Sequence, residues 1–329
     1  MKISVFGAGA YGLAISLALA KNGHDITIWT ENLNKELEYK ETKSLKSVLN
    51  VDLPNNIKIS SSYEEVLNKT NLIFIVTTSK YVADVCDGIN VFYKKSIPIC
   101  IATKGLEENS LDLLSNVVTN KLNTKNVAVI SGPTFAIDMA NNEPVALALA
   151  ATNNRTKNII LKTLPGDTLK LRPTDDLIGI QICGSVKNIF AIASGILEGL
   201  GYSDSTRSFL INESLHDIKH IIKYLGGNPK TILSFAGIGD LLLTCSSKKS
   251  RNFSFGYCIG NTKSKEKIKE FLQNKTVEGY YTLQTIHNLL KKKKINIELV
   301  NVIYDIVYNN HNPYELAKFL ITKEWFFVK

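Results

Sequence analysis

Three glycines near the start of the chain, Gly7, Gly9 and Gly12 in the run GAGAYG, stand between a short apolar segment at residues 3–6 and a helix-like stretch at 11–21. In that position G-x-G-x-x-G specifies a tight strand-to-helix turn, whose backbone amides and helix dipole can hold a pyrophosphate. Ala10 and Tyr11 join the glycines as expected dinucleotide contacts. The next apolar run, residues 25–29, completes a βαβ unit.

Further β-branched runs at residues 72–77, 98–102, 127–130, 145–150 and 169–171 are separated by stretches long enough for crossover helices. From residue 176 onward helical periodicities take over, with glycine-containing breaks expected near Gly226, Gly237, Gly260 and Gly279. The chain therefore reads as an α/β protein: a doubly wound sheet domain over residues 1–178, then an all-α domain over 179–329. The lysine run at 291–294 reads as a solvated helix end.

A chain of 329 residues with 44% hydrophobic and 21% charged content can bury two sizeable cores, which excludes a disordered tail protein. Basic residues outnumber acidic ones by 39 minus 30, giving +9. Only Arg155, Arg172, Arg207 and Arg251 are arginines, whereas nucleic-acid readers rely on arginine forks, so no nucleic-acid partner is expected. Cys86, Cys100, Cys183, Cys245 and Cys258 are scattered and form no C-x-x-C pair, which argues against a disulfide framework or zinc site and fits a reducing cytoplasm. The chain passes from Met1 and Lys2 straight into a strand-like run, so no secretion or transit signal is expected. Residues 177–197 are long and apolar, but Gln181, Lys187 and Asn188 would be expensive in lipid. A buried core helix is expected there, without stable membrane insertion.

Glu31 lies just beyond the second strand, where an acidic side chain accepts hydrogen bonds from an adenosine ribose and repels a 2′-phosphate, favouring NAD over NADP. Lys35 is near enough in sequence to blur that preference. Lys187 interrupts the apolar run IGIQICGSVKNIFAIASG, and burial of an ammonium lowers its pKa toward values useful for proton transfer. It is read as an acid/base candidate, against the alternative of a purely structural buried ion pair. Asp240, in the glycine-rich turn of GIGDLLLTCSSKKSR, could orient or charge-balance it. Ser250, Arg251 and Asn252 suit a phosphate, the guanidinium offering two parallel bonds beside neutral donors. His216 and His220 are four apart on a helix but lack a third ligand at a telling spacing, so no metal is expected.

Taken together the chain resembles the NAD(P)-dependent glycerol-3-phosphate dehydrogenase family in its bacterial form. The blocks that carry the resemblance are GAGAYG at residues 7–12, ATKGLE at 102–107, VISGPTFA at 129–136, GSVKN at 184–188, AGIGDLLLTC at 236–245, SRN at 250–252 and VEGY at 277–280. The resemblance implies a Rossmann-type N-terminal domain, an α-helical C-terminal domain, an active site in the cleft between them, and a homodimer. It implies reduction of dihydroxyacetone phosphate to glycerol 3-phosphate with NAD or NADP as cofactor. It makes Lys187 the catalytic acid/base with Lys104 and Asp240 beside the reacting carbon. Substrate contacts would come from Lys104, Gly132, Thr134, Asn188, Thr244, Ser250, Arg251 and Asn252. Ala136, Lys104, Arg251 and Glu278 would touch the cofactor.

Four departures from the family pattern stand out. Glu31 replaces a frequent Arg or His; YSDSTR at residues 202–207 keeps Arg207 but loses glycine flexibility; Glu213 reverses the charge of a common Arg; Thr78 stands for a common Pro. The competing readings are another two-domain dehydrogenase of the β-hydroxyacid or 6-phosphogluconate type, and a catalytically silent dinucleotide-binding protein. The SRN cluster argues against a hydroxyacid substrate, and intact Lys187, Lys104 and Asp240 argue against a silent site.

Overall fold

Strand β1 (Lys2–Phe6) is five residues of KISVF whose last four are buried, and it forms the middle of a sheet that extends both ways from it. The structure, a computed structural model, describes residues 1–262 and 264–323. Beside β1 lie β2 (Asp25–Trp29), β3 (Ile57–Ser60), β4 (Leu72–Ile75), β5 (Ile99–Ile101), β6 (Val127–Ser131), β7 (Val145–Ala151) and β8 (Leu169–Pro173). Among the described residues they make one eight-stranded sheet in the order β3-β2-β1-β4-β5-β6-β7-β8. Every pairing is parallel except β6 with β7. The reversal of strand order about β1 makes the sheet doubly wound and leaves the turn after β1 at the switch point, where ligands bind in such sheets.

β4 reads LIFI and is wholly buried, as a central parallel strand covered on both faces must be. β3 is the strand that the apolar pattern of the sequence does not announce. It is four residues long, exposes Lys58, and pairs only with β2 at the sheet edge.

The helices that position candidate residues are α1 (Ala10–Lys21), α2 (Leu33–Thr42), α3 (Ala136–Ala140), α4 (Leu177–Gly199), α5 (Asp204–Tyr224), α6 (Asp240–Cys245), α7 (Arg251–Asn261), α8 (Glu278–Lys292) and α9 (Tyr314–Thr322). The chain divides into two compact units, Met1–Gln181 and Ile182 onward. The first holds the sheet, and the second is helical among its described residues.

α4 is long and apolar enough to cross a membrane, yet 89% of its most apolar window is buried by protein. It is a core helix. Its crossing with α7 is made by glycines on both sides. A Cβ on Gly195 would sit 2.0 Å from the Phe253 carbonyl oxygen, and one on Gly256 would sit 1.9 Å from that of Ile192. Gly199 and Gly260 continue the contact one turn on, where a Cβ would meet Tyr257 O at 2.4 Å and Ile196 O at 2.2 Å. The break expected near Gly260 is present, since α7 ends one residue later at Asn261, but the glycine itself is required because two helix backbones touch there. A break also precedes Gly279, which lies in the first turn of α8, where a Cβ would come within 2.7 Å of Asn188 O. Gly226, with φ of 86°, does end a helix, just beyond α5.

The end of α9 is tied to α5 by charge. Lys323 Nζ stands 2.8 Å from Asp217 Oδ1 and 3.2 Å from Glu213 Oε2, with both carboxylates buried. One ammonium serves two acids, and Glu213 Oε1 and Asp217 Oδ2 have no hydrogen-bond partner. Burial raises the Asp217 carboxyl to about 6, with Lys323 opposing the rise. The folded state therefore holds a proton on Asp217 that the unfolded state releases between about pH 4 and pH 6, so this group's contribution falls as pH rises through that window. Asp217→Asn should gain about 2–3 kcal/mol on the wild type between pH 4 and pH 7, read as the difference in urea-unfolding free energy. An unchanged difference across that range would refute the assignment.

Candidate active site

The three glycines of the first turn do different work. Gly7 has φ of 128° and a Cβ there would lie 2.8 Å from the Val76 carbonyl oxygen, so the turn can pass under β4 only as glycine. At Gly12 a Cβ would strike Gly7 O at 1.9 Å, which is what lets α1 start directly on β1. At Gly9 a Cβ would meet nothing within 4 Å. Gly9 is also the N-cap of α1, no side chain caps that helix, and its first turn carries no acid. An open face over an uncapped helix start that begins Ala10, Tyr11 is what a pyrophosphate needs.

Orphaned hydroxyls border the same turn. Thr77 Oγ1 and Thr78 Oγ1 are buried with no partner, and Gly7's absent Cβ would lie 3.0 Å from Thr77 N. Ser131 Oγ, at the end of β6, is orphaned in the same way. The sequence reading did not select Thr77 or Ser131, because a lone hydroxyl after a strand has no pattern that distinguishes it. Together with the open face at Gly9 they fit a polar ligand such as a dinucleotide on this edge of the sheet.

Lys104, Gly132, Thr134 and Tyr11 come from three separate segments and form one chain of contacts. Thr103 Oγ1 donates to Thr77 O at 2.8 Å, fixing the loop after β5, and Lys104 Nζ lies 3.3 Å from Gly132 O. Thr134 N donates to Gly132 O at 2.9 Å, and its hydroxyl is 2.9 Å from that of Tyr11. Gly132 has no room for a side chain, since a Cβ would be 2.7 Å from Ala146 O across the antiparallel pair. Ala136 begins α3 just beyond. Glu31 is exposed in the connection between β2 and α2.

In the helical unit Lys187 lies on α4 with 6% of its surface exposed. Its Nζ donates to Asp240 Oδ1 at 2.5 Å and to Thr244 Oγ1 at 2.8 Å. Asp240 is fully buried as the first residue of α6, and Thr244, one turn on, donates to the Asp240 carbonyl at 2.6 Å. The ammonium is thus held by a charged and a neutral oxygen on one short helix. Cys245, next in the chain, has its thiol pushed up to about 12 by burial, so it carries no thiolate chemistry.

The three residues of S-R-N have different surroundings. Ser250 caps α7, its Oγ accepting from Phe253 N at 3.2 Å. Asn252 is buried and accepts from Gly279 N at 2.8 Å, pinning the start of α8 beside Glu278. Arg251, the first residue of α7, is exposed with no hydrogen bond or ion pair among the described residues. Asn188 is buried next to Lys187, its carbonyl against Gly279. Arg207 is held by Glu198 at 2.5 Å and by Asp204, so Asp204 of YSDSTR supplies it a second counter-ion. No group of three or more His, Cys, Asp or Glu that could hold a metal occurs among the described residues.

Sequence comparison joins the two halves. The profile of the NAD-dependent glycerol-3-phosphate dehydrogenase N-terminus matches residues 2–157, and that of the C-terminus matches residues 176–318. The chain belongs to the NAD-dependent glycerol-3-phosphate dehydrogenase family. A relative from a Thermoanaerobacter species, named glycerol-3-phosphate dehydrogenase [NAD(P)+], is 34% identical over 325 residues, covering 98% of each chain. One of the same name from Oceanobacillus iheyensis is 30% identical, covering 98% of this chain and 94% of its own. The crystal structure of glycerol-3-phosphate dehydrogenase from Coxiella burnetii superposes with a TM-score of 0.93 at 30% identity, covering 98% of this chain and 99% of that one. Glu213, singled out in the sequence, is buried and answered by Lys323 inside the helical unit.

Removing Lys187 leaves Asp240 buried without its counter-ion, and Lys187→Met should cost about 3–5 kcal/mol of unfolding free energy. Adding Asp240→Asn should recover a large part of the loss. Urea-unfolding midpoints of the three proteins test this; a double variant no more stable than the single one would show that the pair is not the unit described.

Proposed function

We propose that this protein reduces dihydroxyacetone phosphate to sn-glycerol 3-phosphate with NADH or NADPH, supplying the backbone of glycerophospholipids. The observation that carries the reading is the buried Lys187, held by Asp240 and Thr244 on α6. The sheet unit binds the dinucleotide and the helical unit, taken from about residue 179 onward, binds the substrate. Gly7, Gly9, Ala10, Tyr11 and Gly12 hold the pyrophosphate, Glu31 the adenosine ribose, and Ala136 and Glu278 further parts of the cofactor. When bound, the reduced nicotinamide supplies the hydride.

Lys187 holds a proton at Nζ beside the carbonyl oxygen, stabilises the negative charge that grows there, and delivers that proton to the alkoxide. Asp240 fixes Nζ in place and keeps the ammonium form compatible with burial. Lys104, steered by the Gly132 carbonyl, gives the substrate a second positive charge, and Thr134 and Asn188 give it neutral contacts. Arg251 takes the phosphate: an exposed guanidinium without a protein partner, on the first turn of an eleven-residue helix, is free to form two parallel bonds to phosphoryl oxygens. Ser250 and Asn252 serve that clamp by capping α7 and by locking α8 against it.

The same reading places the protein as a homodimer in a reducing cytoplasm, without nucleic-acid partners. It is supported there by five cysteines that form no disulfide among the described residues, four of them buried, by the scarcity of arginine, and by large apolar side chains left exposed on the helical unit, Leu233 and Ile321 among them.

Loss of reduced-cofactor absorbance on adding dihydroxyacetone phosphate tests the reaction directly. Lys187→Ala should abolish turnover while leaving NADH affinity unchanged, because its role is confined to the carbonyl. Arg251→Ala should lower kcat/KM by roughly ten- to a hundredfold, the loss expected for charge-assisted bonds to phosphate. Full turnover in Lys187→Ala, or no oxidation by a wild type that binds dinucleotide, would sink the proposal.

A further inference from the structure

Lys35 lies in the first turn of α2, yet its side chain returns to the glycine-rich turn and sets Nζ 2.9 Å from the Ala8 carbonyl oxygen. No carboxylate closes on it to ion-pair distance among the described residues. Glu38, one turn further along α2, is instead engaged by the backbone and hydroxyl of Ser47 at 3.2 and 2.5 Å. The ammonium is half-buried, and its pKa is lowered by that burial, with Glu38 opposing at longer range. A full positive charge is therefore answered at contact by a neutral carbonyl.

Its position decides what it can answer. In a sheet of this kind the turn after β1 takes the pyrophosphate and the segment after β2 takes the adenosine ribose. Lys35 is anchored after β2 and touches the turn after β1, so its charge bridges these two places. Glu31 opposes an anion there, but it is exposed, and a charge in water acts more weakly than one partly withdrawn from it. We infer that Lys35 receives the adenosine 2′-phosphate, and that the protein consequently binds NADPH at least as well as NADH despite Glu31. This rests on the dinucleotide reading of the glycine turn given above.

Calorimetric titration of the full chain with NADPH, NADH, 2′,5′-ADP and 5′-AMP tests it without turnover. Lys35→Ala should weaken NADPH and 2′,5′-ADP by about ten- to a hundredfold and leave NADH and 5′-AMP unchanged. Lys35→Arg should keep the wild-type order of affinities. Equal loss for both members of each pair would assign Lys35 to the pyrophosphate or to the turn itself, and no change for any ligand would remove it from the site; either overturns the inference. A wild type that binds 5′-AMP and NADH but neither phosphorylated ligand overturns it while leaving the dinucleotide reading intact. A wild type that binds none of the four fails at the glycine turn and takes the inference with it.

Discussion

An ammonium buried in the middle of a 23-residue apolar helix is the constraint around which the helical unit is arranged. Left alone, Lys187 would lose its charge or unfold its surroundings. The second unit answers with α6, which begins at the residue that pairs with it and, one turn later, presents the hydroxyl that shares it. The distorted turn Phe235–Gly239, with Gly237 at φ −87° and ψ −108°, is what delivers Asp240 to that point. The GIGD motif is therefore a device for placing one carboxylate. Its apolar companions, such as Leu241 and Cys245, bury the pair and keep water from competing for it.

Glycine sets the second constraint. The turn after β1 and the α4–α7 crossing both depend on backbone meeting backbone where a methyl group would not fit. The two places serve one end, because each brings a helix N-terminus and its unpaired charges to a defined position: α1 in the sheet unit, α7 with Arg251 in the helical one. At Gly9 the missing side chain leaves space for a ligand, whereas at Gly195, Gly199, Gly256 and Gly260 it leaves space for the other helix. Residue identity alone cannot tell these uses apart.

That ambiguity marks where the sequence stops being legible. The βαβ start, the succession of buried strands and the buried core helix follow from periodicity, because each buries one face or both and the pattern repeats over several residues. β3 escapes, since four residues of IKIS at an edge need only one neighbour and tolerate a lysine outside. The end of α7 is legible near Gly260, but the need for glycine there is not, because its contact lies in a helix some sixty residues earlier, at Ile196. Lys187 and Asp240 are legible as a charge pair, because burial forces one on the other. The helix-holding bonds of Ser250 and Asn252 are not: nothing in S-R-N announces that their side-chain oxygens also accept from Phe253 N and Gly279 N.

The charges singled out in the sequence are answered close to where they occur. Asp204 and Glu198 both hold Arg207. Glu213 is met by Lys323, just beyond α9. Two buried carboxylates share that one ammonium, and the Asp217 carboxyl is raised to about 6, chiefly by burial and to a lesser extent by Glu213. The Asp217 carboxyl therefore gives up stability at neutral pH, whereas the Lys187 ammonium on α4 keeps Asp240 and Thr244 of α6 as hydrogen-bond partners.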